Sequence, residues 1–355
     1  MSATEIDPQK LEAVMGQAVL DMGAAISAPL FVIGDRLGLY KAMADAGPLK
    51  STEVAERAGV AERSVREWLR NQAAAGYVDY DPDAETYELP PEGAMALADE
   101  ESPYYLLGAF DLIASLYADE DRILDAFRSG EGMGWHEHDR RLFRGTERFF
   151  RPGYKGHLVG EWIPALEGVE EKLAAGAKVA DVGCGHGAST VLMAEAFPAS
   201  EFHGYDYHDA SIERARRAAD TAGVSDRATF DVATAKDFPA EGYDMVAVFD
   251  CLHDMGDPVG ASAHIHETLA GDGTWMIVEP FAGDHPEDNF NPVGRIFYGA
   301  STMICTPASL DQEVGLALGA QAGEERLTEV IKEGGFASVR RATETPFNLI
   351  LEAKP

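Results

Sequence analysis

Three alternating glycines, Gly183, Gly185 and Gly187, follow the apolar run KVADV and lead into STVLMAEAFP, which has helical spacing. A strand that turns through glycines into a helix can bring bare backbone up to a ligand, because no Cβ stands in the way. Asp181 lies two residues before the first glycine, and Asp206 closes the next β-rich run nineteen residues after the last. A carboxylate at that second place can accept both hydroxyls of a ribose. Farther along, VFDCLHDMGDP groups Asp250, Cys251, His253 and Asp254, and TWMIVEP carries Glu279 near its end. An imidazole with an ordinary pKa of about 6.5, oriented by a carboxylate, is suited to taking a proton from a poor nucleophile.

Charge separates two ligands for the glycine loop. As G-x-G-x-x-A it could face the pyrophosphate of a nicotinamide dinucleotide. As D-x-G-x-G-x-G it matches the loop that takes S-adenosyl-L-methionine (SAM), whose sulfonium and ammonium are positive. Asp181 would repel the first and attract the second by about 4 kcal/mol at ~4 Å and moderate dielectric, which favours SAM. Asp181, Gly183, Gly185 and Gly187 are then expected around the cofactor, with Asp206 on its ribose. Tyr207 could pack on the adenine face, and Thr234 and Ala235, in ATAKDF, lie where adenine-edge contacts are expected.

The elements that must position these residues are legible from Lys178 onward. KVADVG, EFHGYD, ATFDVA, YDMVAVFD and TWMIVEP are short β-rich runs separated by helix or turn signals. Such alternation predicts a doubly wound, mostly parallel α/β sheet. FASVRR and FNLILEA are joined by too few residues for a parallel crossover, so the seven-stranded sheet should close with an antiparallel hairpin. The stretch from Phe281 to Glu324 is long for a connection and is read as a substrate lid.

The first half reads as mostly helical, with breaks expected at Gly34, Gly38 and Gly47. STEVAERAG, capped by Ser51, then AERSVREWLRNQAAAG and the returning strands of YVDYDPDAETYELP make a winged-helix layout. Its second helix carries Arg63, Arg66 and Arg70 against Glu62 and Glu67, and the wing is acidic, which suits packing and dimerisation better than DNA. Across all 355 residues, Lys plus Arg is 29 and Asp plus Glu is 61, a formal charge of −32. That excess repels phosphate backbones and anionic lipid. The longest uncharged apolar run, Met22 to Gly34, is shorter than the roughly 20 residues of a bilayer span, and no signal peptide is read at the amino terminus. Cys184, Cys251 and Cys305 are far apart and make no C-x-x-C pair, which fits a reducing cytoplasm.

The string VADVGCGHGAS, Asp206 and VFDCLHDMGDP together resemble class I SAM-dependent methyltransferases. Over nearly its whole length the chain is similar to two-domain O-methyltransferases with an amino-terminal winged-helix dimerisation domain, mycobacterial and actinobacterial members of undefined substrate above all. The resemblance implies a homodimer with a winged-helix domain over residues 1–100, a helical linker lining the substrate pocket over 101–175, and a SAM-binding domain over 176–355 with its lid at 281–324. It implies methyl transfer to a small, apolar or aromatic acceptor, most readily at a hydroxyl, with His253 as general base and Glu279 or Glu325 orienting it. Asp250 and Tyr154 fall on the cofactor side, and Thr234 stands where many relatives have Asp. N-, S- or C-methylation on the same scaffold, a winged-helix regulator that senses SAM or a metabolite, and a nicotinamide-dependent enzyme are the alternatives.

Overall fold

The computed structural model describes residues 6–355. These form two compact units: residues up to Ser115 with Arg144–Pro152, and Leu116–Phe143 with Gly153–Pro355. The span 101–175 is therefore shared between the units.

In the first unit a 29-residue helix, Pro8–Arg36, starts where the Asp7 carboxylate accepts from the amides of Gln9 and Lys10. It runs through Gly34, where a break was expected. A Cβ there would lie 2.7 Å from both Trp68 and Tyr40, so this glycine is a packing contact rather than a stop. The helix ends instead at Arg36, with Leu37 as its cap before Gly38 in the left-handed region. Helices Ser51–Ala58 and Glu62–Ala74 follow, then antiparallel β1 (Asp79–Asp81) and β2 (Thr86–Glu88), the winged-helix order. Phe31, Leu39, Trp68, Leu69 and Tyr87 form its core. Ser51 does not cap its helix; the Lys50 amide donates to Glu53, and the Ser51 hydroxyl donates to Glu62. Farther on, helix Leu107–Ala118 and residues Arg144–Pro152 approach backbone to backbone. A Cβ on Gly108 or Gly145 would come 2.4 Å from the other segment.

The expectation that no segment could cross a bilayer needs correcting. Pro8–Arg36 is long and apolar enough by length and composition. The uncharged run Met22–Gly34 is only its apolar end, and the helix continues back through Asp21 to Pro8. Within this unit its carboxyl-terminal part packs into the winged-helix core, with Ser27, Phe31 and Gly34 buried and the Leu30 carbonyl accepting from the Trp68 indole.

The second unit holds the expected seven-stranded sheet. Its strands are β3 (Lys178–Val182), β4 (Glu201–Asp206), β5 (Ala228–Val232), β6 (Tyr243–Phe249), β7 (Leu269–Pro280), β8 (Ser338–Glu344) and β9 (Asn348–Lys354). The order across the sheet is β5-β4-β3-β6-β7-β9-β8. Pairings from β5 to β7 are parallel; β9 runs antiparallel between β7 and β8. Val246, Val248, Trp275, Ile277, Leu349 and Leu351 fill the sheet's core with almost no exposure, as strands covered on both faces require. The chain leaves β3 toward β4 and β5 and returns to β6 on the other side. The carboxyl ends of β3, β4 and β6 therefore border the switch point where open α/β sheets hold their ligands.

Candidate active site

The loop after β3 turns through three left-handed glycines, Gly183 (φ 76°), Gly185 (φ 52°) and Gly187 (φ 80°). Their surroundings differ. A Cβ on Gly187 would meet Ala215 and Phe230 at 2.9 Å, whereas one on Gly185 would meet nothing within 4 Å. Gly187 is needed for folding, and Gly185 leaves open space above the loop. Gly185→Ala should therefore stay folded, losing about 1 kcal/mol to its backbone conformation, while cofactor affinity falls at least about tenfold. Gly187→Ala should lower the melting temperature by several degrees through overpacking. Thermal melts with and without S-adenosylhomocysteine distinguish the two, and equal behaviour would refute the division.

Asp181, at the end of β3, is buried. Its Oδ2 accepts from the hydroxyls of Ser189 and Thr190, both at 2.6 Å, which ties the following helix to the strand. Its Oδ1 is buried with no hydrogen-bond partner in the described structure. Asp206, at the end of β4, accepts from the Gly185 amide and from the His208 amide, each at 2.9 Å, so the carboxylate already braces the glycine loop. Tyr207 is exposed and meets the His136 ring edge-on. The Thr234 hydroxyl donates to Asp237 Oδ1 at 2.9 Å, and the Thr234 amide donates to the same atom. Asp237 is thus a carboxylate of this loop that reasoning from the sequence passed over. Ala235 packs against the sheet core.

Beyond β6, Asp250 adopts φ 51°, an uncommon conformation for a residue with a side chain and one that recurs at functional sites. Its carboxylate accepts from the Tyr154 hydroxyl at 2.8 Å and from the Asn348 amide group at 3.0 Å. Asn348 carried no sequence signal. It reaches Asp250 because antiparallel pairing sets it opposite Pro280 at the end of β7. His253 follows in a short 3-10 turn and is buried. Its Nδ1 lies 2.5 Å from Glu279 Oε2, while Glu279 Oε1 accepts from the Leu252 amide at 2.9 Å. The carboxylate therefore fixes both the ring and the turn that carries it. Glu325, the other expected partner, is exposed, and its amide donates to Asp284 on a different stretch. It starts its own helix and does not meet His253. The remaining ring nitrogen, Nε2, is 3.3 Å from Cys305 Sγ, a contact that sequence reasoning missed. Elsewhere in this unit, His138 is buried with its Nδ1 3.1 Å from Asp119 Oδ2.

Burial raises the carboxyl of Asp181 to about 6, that of Asp254 to about 7 and that of Asp250 to about 8, the last with help from Glu279. Burial also raises Asp206 against the pull of its backbone donors. For His253, burial favours the neutral ring, but Glu279 and Cys305 outweigh it and hold the imidazole well above its ordinary value. Here hydroxyls, amides and histidine meet a set of carboxyls that would each ionise more readily beside a positive guest.

Two family models match the chain: an Rv2258c-like winged HTH domain over residues 24–99 and a methyltransferase domain over residues 173–335. The chain thus joins a winged HTH domain to a methyltransferase domain. The 27-O-demethylrifamycin SV methyltransferase of Amycolatopsis mediterranei (strain S699) is 26% identical over 172 residues, 46% of this chain. That match spans about half, 55%, of the relative's length. The mitomycin 7-O-methyltransferase MmcR shares the fold with a TM-score of 0.68 at 19% identity, over 98% of this chain and 100% of its own. So does the O-methyltransferase NcsB1 from neocarzinostatin biosynthesis, solved with S-adenosyl-L-homocysteine and 1,4-dihydroxy-2-naphthoic acid, with a TM-score of 0.62 at 18% identity over 99% of each chain.

The cofactor of this methyltransferase fold is SAM, and the residues present fit it. The unpartnered Asp181 Oδ1, the open face of Gly185 and the raised carboxyls of Asp250 and Asp254 suit a guest with two positive charges. They are unsuited to a pyrophosphate, whose charge has the same sign as theirs.

Proposed function

We propose that the protein moves the methyl group of SAM to a hydroxyl of a small, apolar, planar acceptor. His253 is the general base and Glu279 is the group that orients it. The observation that carries this reading is the line Glu279 Oε2 to His253 Nδ1, at 2.5 Å, beside the ends of β6 and β7. In this reading Gly183, Gly185 and Gly187 form the cofactor cradle, and Asp206 takes the ribose. Asp181 and Asp250 face the positive groups, with Tyr154 holding Asp250; Tyr207, Thr234 and Ala235 border the adenine. When bound, the cofactor supplies an electrophilic methyl on a positively charged sulfur. The chain supplies position and a proton acceptor: Nε2 takes the hydroxyl proton, and Glu279 stabilises the resulting imidazolium. Incubating the protein with SAM and a panel of phenols and naphthols, with product masses read, tests the reading. Release of S-adenosylhomocysteine with methylation only at nitrogen, sulfur or carbon would overturn the hydroxyl assignment.

A base must shed its proton before it can act. Because the imidazole holds its proton above the ordinary range, the fraction of competent base grows as pH rises past neutrality. The expected result is a kcat/KM that climbs between about pH 7 and pH 9 for a hydroxyl acceptor. A profile flat across that interval would remove His253 from the proton transfer.

The partner in this reading is a second copy of the chain, not nucleic acid. Arg63, Arg66 and Arg70 of the second winged-helix helix are paired with Glu67 and Glu62, which cancels the charge a phosphate backbone would need. Helix Pro8–Arg36 exposes Leu11, Val14, Leu20 and Ile26, each more than half accessible, and such a stripe is a contact surface for another apolar face. Light scattering should give twice the 38.2 kDa chain mass, and Leu20→Glu with Ile26→Glu should shift it toward one chain. The three cysteines are free, which suits a reducing cytoplasm.

A further inference from the structure

We propose that Gln312 is a positioning residue for the reaction: from an exposed strap of the lid, its side-chain amide holds the turn that carries His253. This rests on the reading of His253 as the base and names what keeps that base in place. The turn is poorly held by its own bonds. Its 3-10 segment, Leu252–Asp254, is three residues long. The Asp254 amide lies 3.3 Å from the Cys251 carbonyl and the Met255 amide 3.4 Å from the Leu252 carbonyl, both long for such bonds. Glu279 fixes the start of the turn through the Leu252 amide, and the lid meets its end.

The lid arrives there by an irregular path. Helix Pro292–Ala300 passes into a π-helical turn, Ser301–Cys305, resumes as Thr306–Leu310, and then runs on as a strap without helix or strand. The Ser309 hydroxyl donates to the Met255 carbonyl at 2.8 Å. From the strap, the Leu316 amide donates to the Gly256 carbonyl at 2.9 Å and the Gly319 amide to the His253 carbonyl at 3.2 Å. Gln312 adds three bonds from one side chain. Its NH2 donates to the carbonyls of Asp254 and Ala308, both at 2.9 Å, and its oxygen accepts from the Gly256 amide at 3.0 Å. Both amide hydrogens are thereby used, and the end of the turn is tied to the lid helix. Gln312 is itself exposed, so core packing does not account for its place.

Two further observations show that strap and turn are fitted to each other. Val314 (φ 70°) and Ala317 (φ 51°) are left-handed without being glycine, a strain that persists only where contacts dictate the path of the chain. Gly256 is not left-handed, yet a Cβ on it would lie 2.4 Å from Gln312 Cβ and 2.6 Å from the Glu313 carbonyl oxygen. Glycine stands there for the close approach of the strap. The ionisable groups facing the His253 ring are Glu279 from β7, Cys305 from the π turn, and Asp250 and Asp254 from its own segment. A turn that shifts therefore moves the ring away from Glu279 and Cys305.

The test compares the full-length wild type with Gln312→Ala, Gln312→Glu and Gly256→Ala, using the phenol or naphthol that the wild type methylates fastest. Gln312→Ala and Gly256→Ala should each lower kcat by about tenfold to a hundredfold, the cost of a small misplacement of a reacting group. Affinity for S-adenosylhomocysteine should stay within about threefold. Gln312→Glu keeps the length of the side chain and its acceptor but loses both donors, so it should fall with Gln312→Ala; bulk alone would leave it at wild type. A second readout needs no acceptor: histidine-ring NMR titration of the S-adenosylhomocysteine complex, with the His253 signal identified by its loss in His253→Gln. In Gln312→Ala and Gly256→Ala that titration should move to lower pH, which a general loss of stability would not produce. A kcat within about twofold of wild type in both variants, or a His253 titration unmoved in both, overturns the proposal. Should the wild type methylate no hydroxyl, the hydroxyl reading fails and the titration alone decides whether Gln312 positions the ring.

Discussion

Asp206→Ala weakens binding of S-adenosylhomocysteine to the full chain by at least about tenfold, equivalent to about 1.4 kcal/mol. Two losses combine. The carboxylate offers the ribose its charged acceptors, and it also accepts from the Gly185 and His208 amides, which hold the loop in its ligand-ready shape. Asp206→Asn separates them, because an amide oxygen can still accept from one backbone N–H but brings no charge. It should fall between wild type and Ala. The binding of SAM itself should also tighten as pH rises from about 5.5 to 8. Carboxyls raised to about 6 and about 7, at Asp181 and Asp254, are partly protonated at the lower end and meet a cation less well. Calorimetry across that range is the measurement, and an Asp206→Ala affinity equal to wild type would remove the ribose assignment.

His253→Ala should lower kcat for a hydroxyl acceptor by about 10²- to 10⁴-fold, the usual worth of a positioned general base, with cofactor affinity within about threefold of wild type. Glu279→Gln is the sharper companion. The amide oxygen can still accept from the Leu252 amide, so the turn survives, but the carboxylate that holds the imidazole's proton is gone. The ascending limb of kcat/KM should therefore move to lower pH while the maximal rate falls. A purely structural role for Glu279 would lower activity without moving the limb. Undiminished turnover in His253→Ala would leave catalysis to proximity and orientation alone.

The seven strands were legible because each is a short run of apolar and β-branched residues bounded by turn signals, a pattern set within a few neighbours. The closing hairpin was legible too, since a short connection excludes a crossover. Local pattern failed where a residue's meaning depends on what packs against it. Gly34 reads as a break, and only the rings of Trp68 and Tyr40 against it reveal a contact inside a continuous helix. Ser51 has the chemistry of a cap, but its hydroxyl is engaged by Glu62 on the next helix.

The site divides along the same line. The glycine loop, Asp181, Asp206 and His253 announce themselves by residue type and by place at strand ends, since the backbone chemistry of a ligand-binding turn is encoded over five or six consecutive residues. The choice of Glu279 over Glu325, the reach of Asn348 to Asp250 and the meeting of Cys305 with His253 join residues from 26 to 98 positions apart. Such pairings are selected by strand order, by antiparallel register and by one π-helical turn, which are outcomes of packing the whole unit. The amino-acid order by itself determined which chemistry the strand ends could carry; the tertiary structure alone decided which side chains share a proton there.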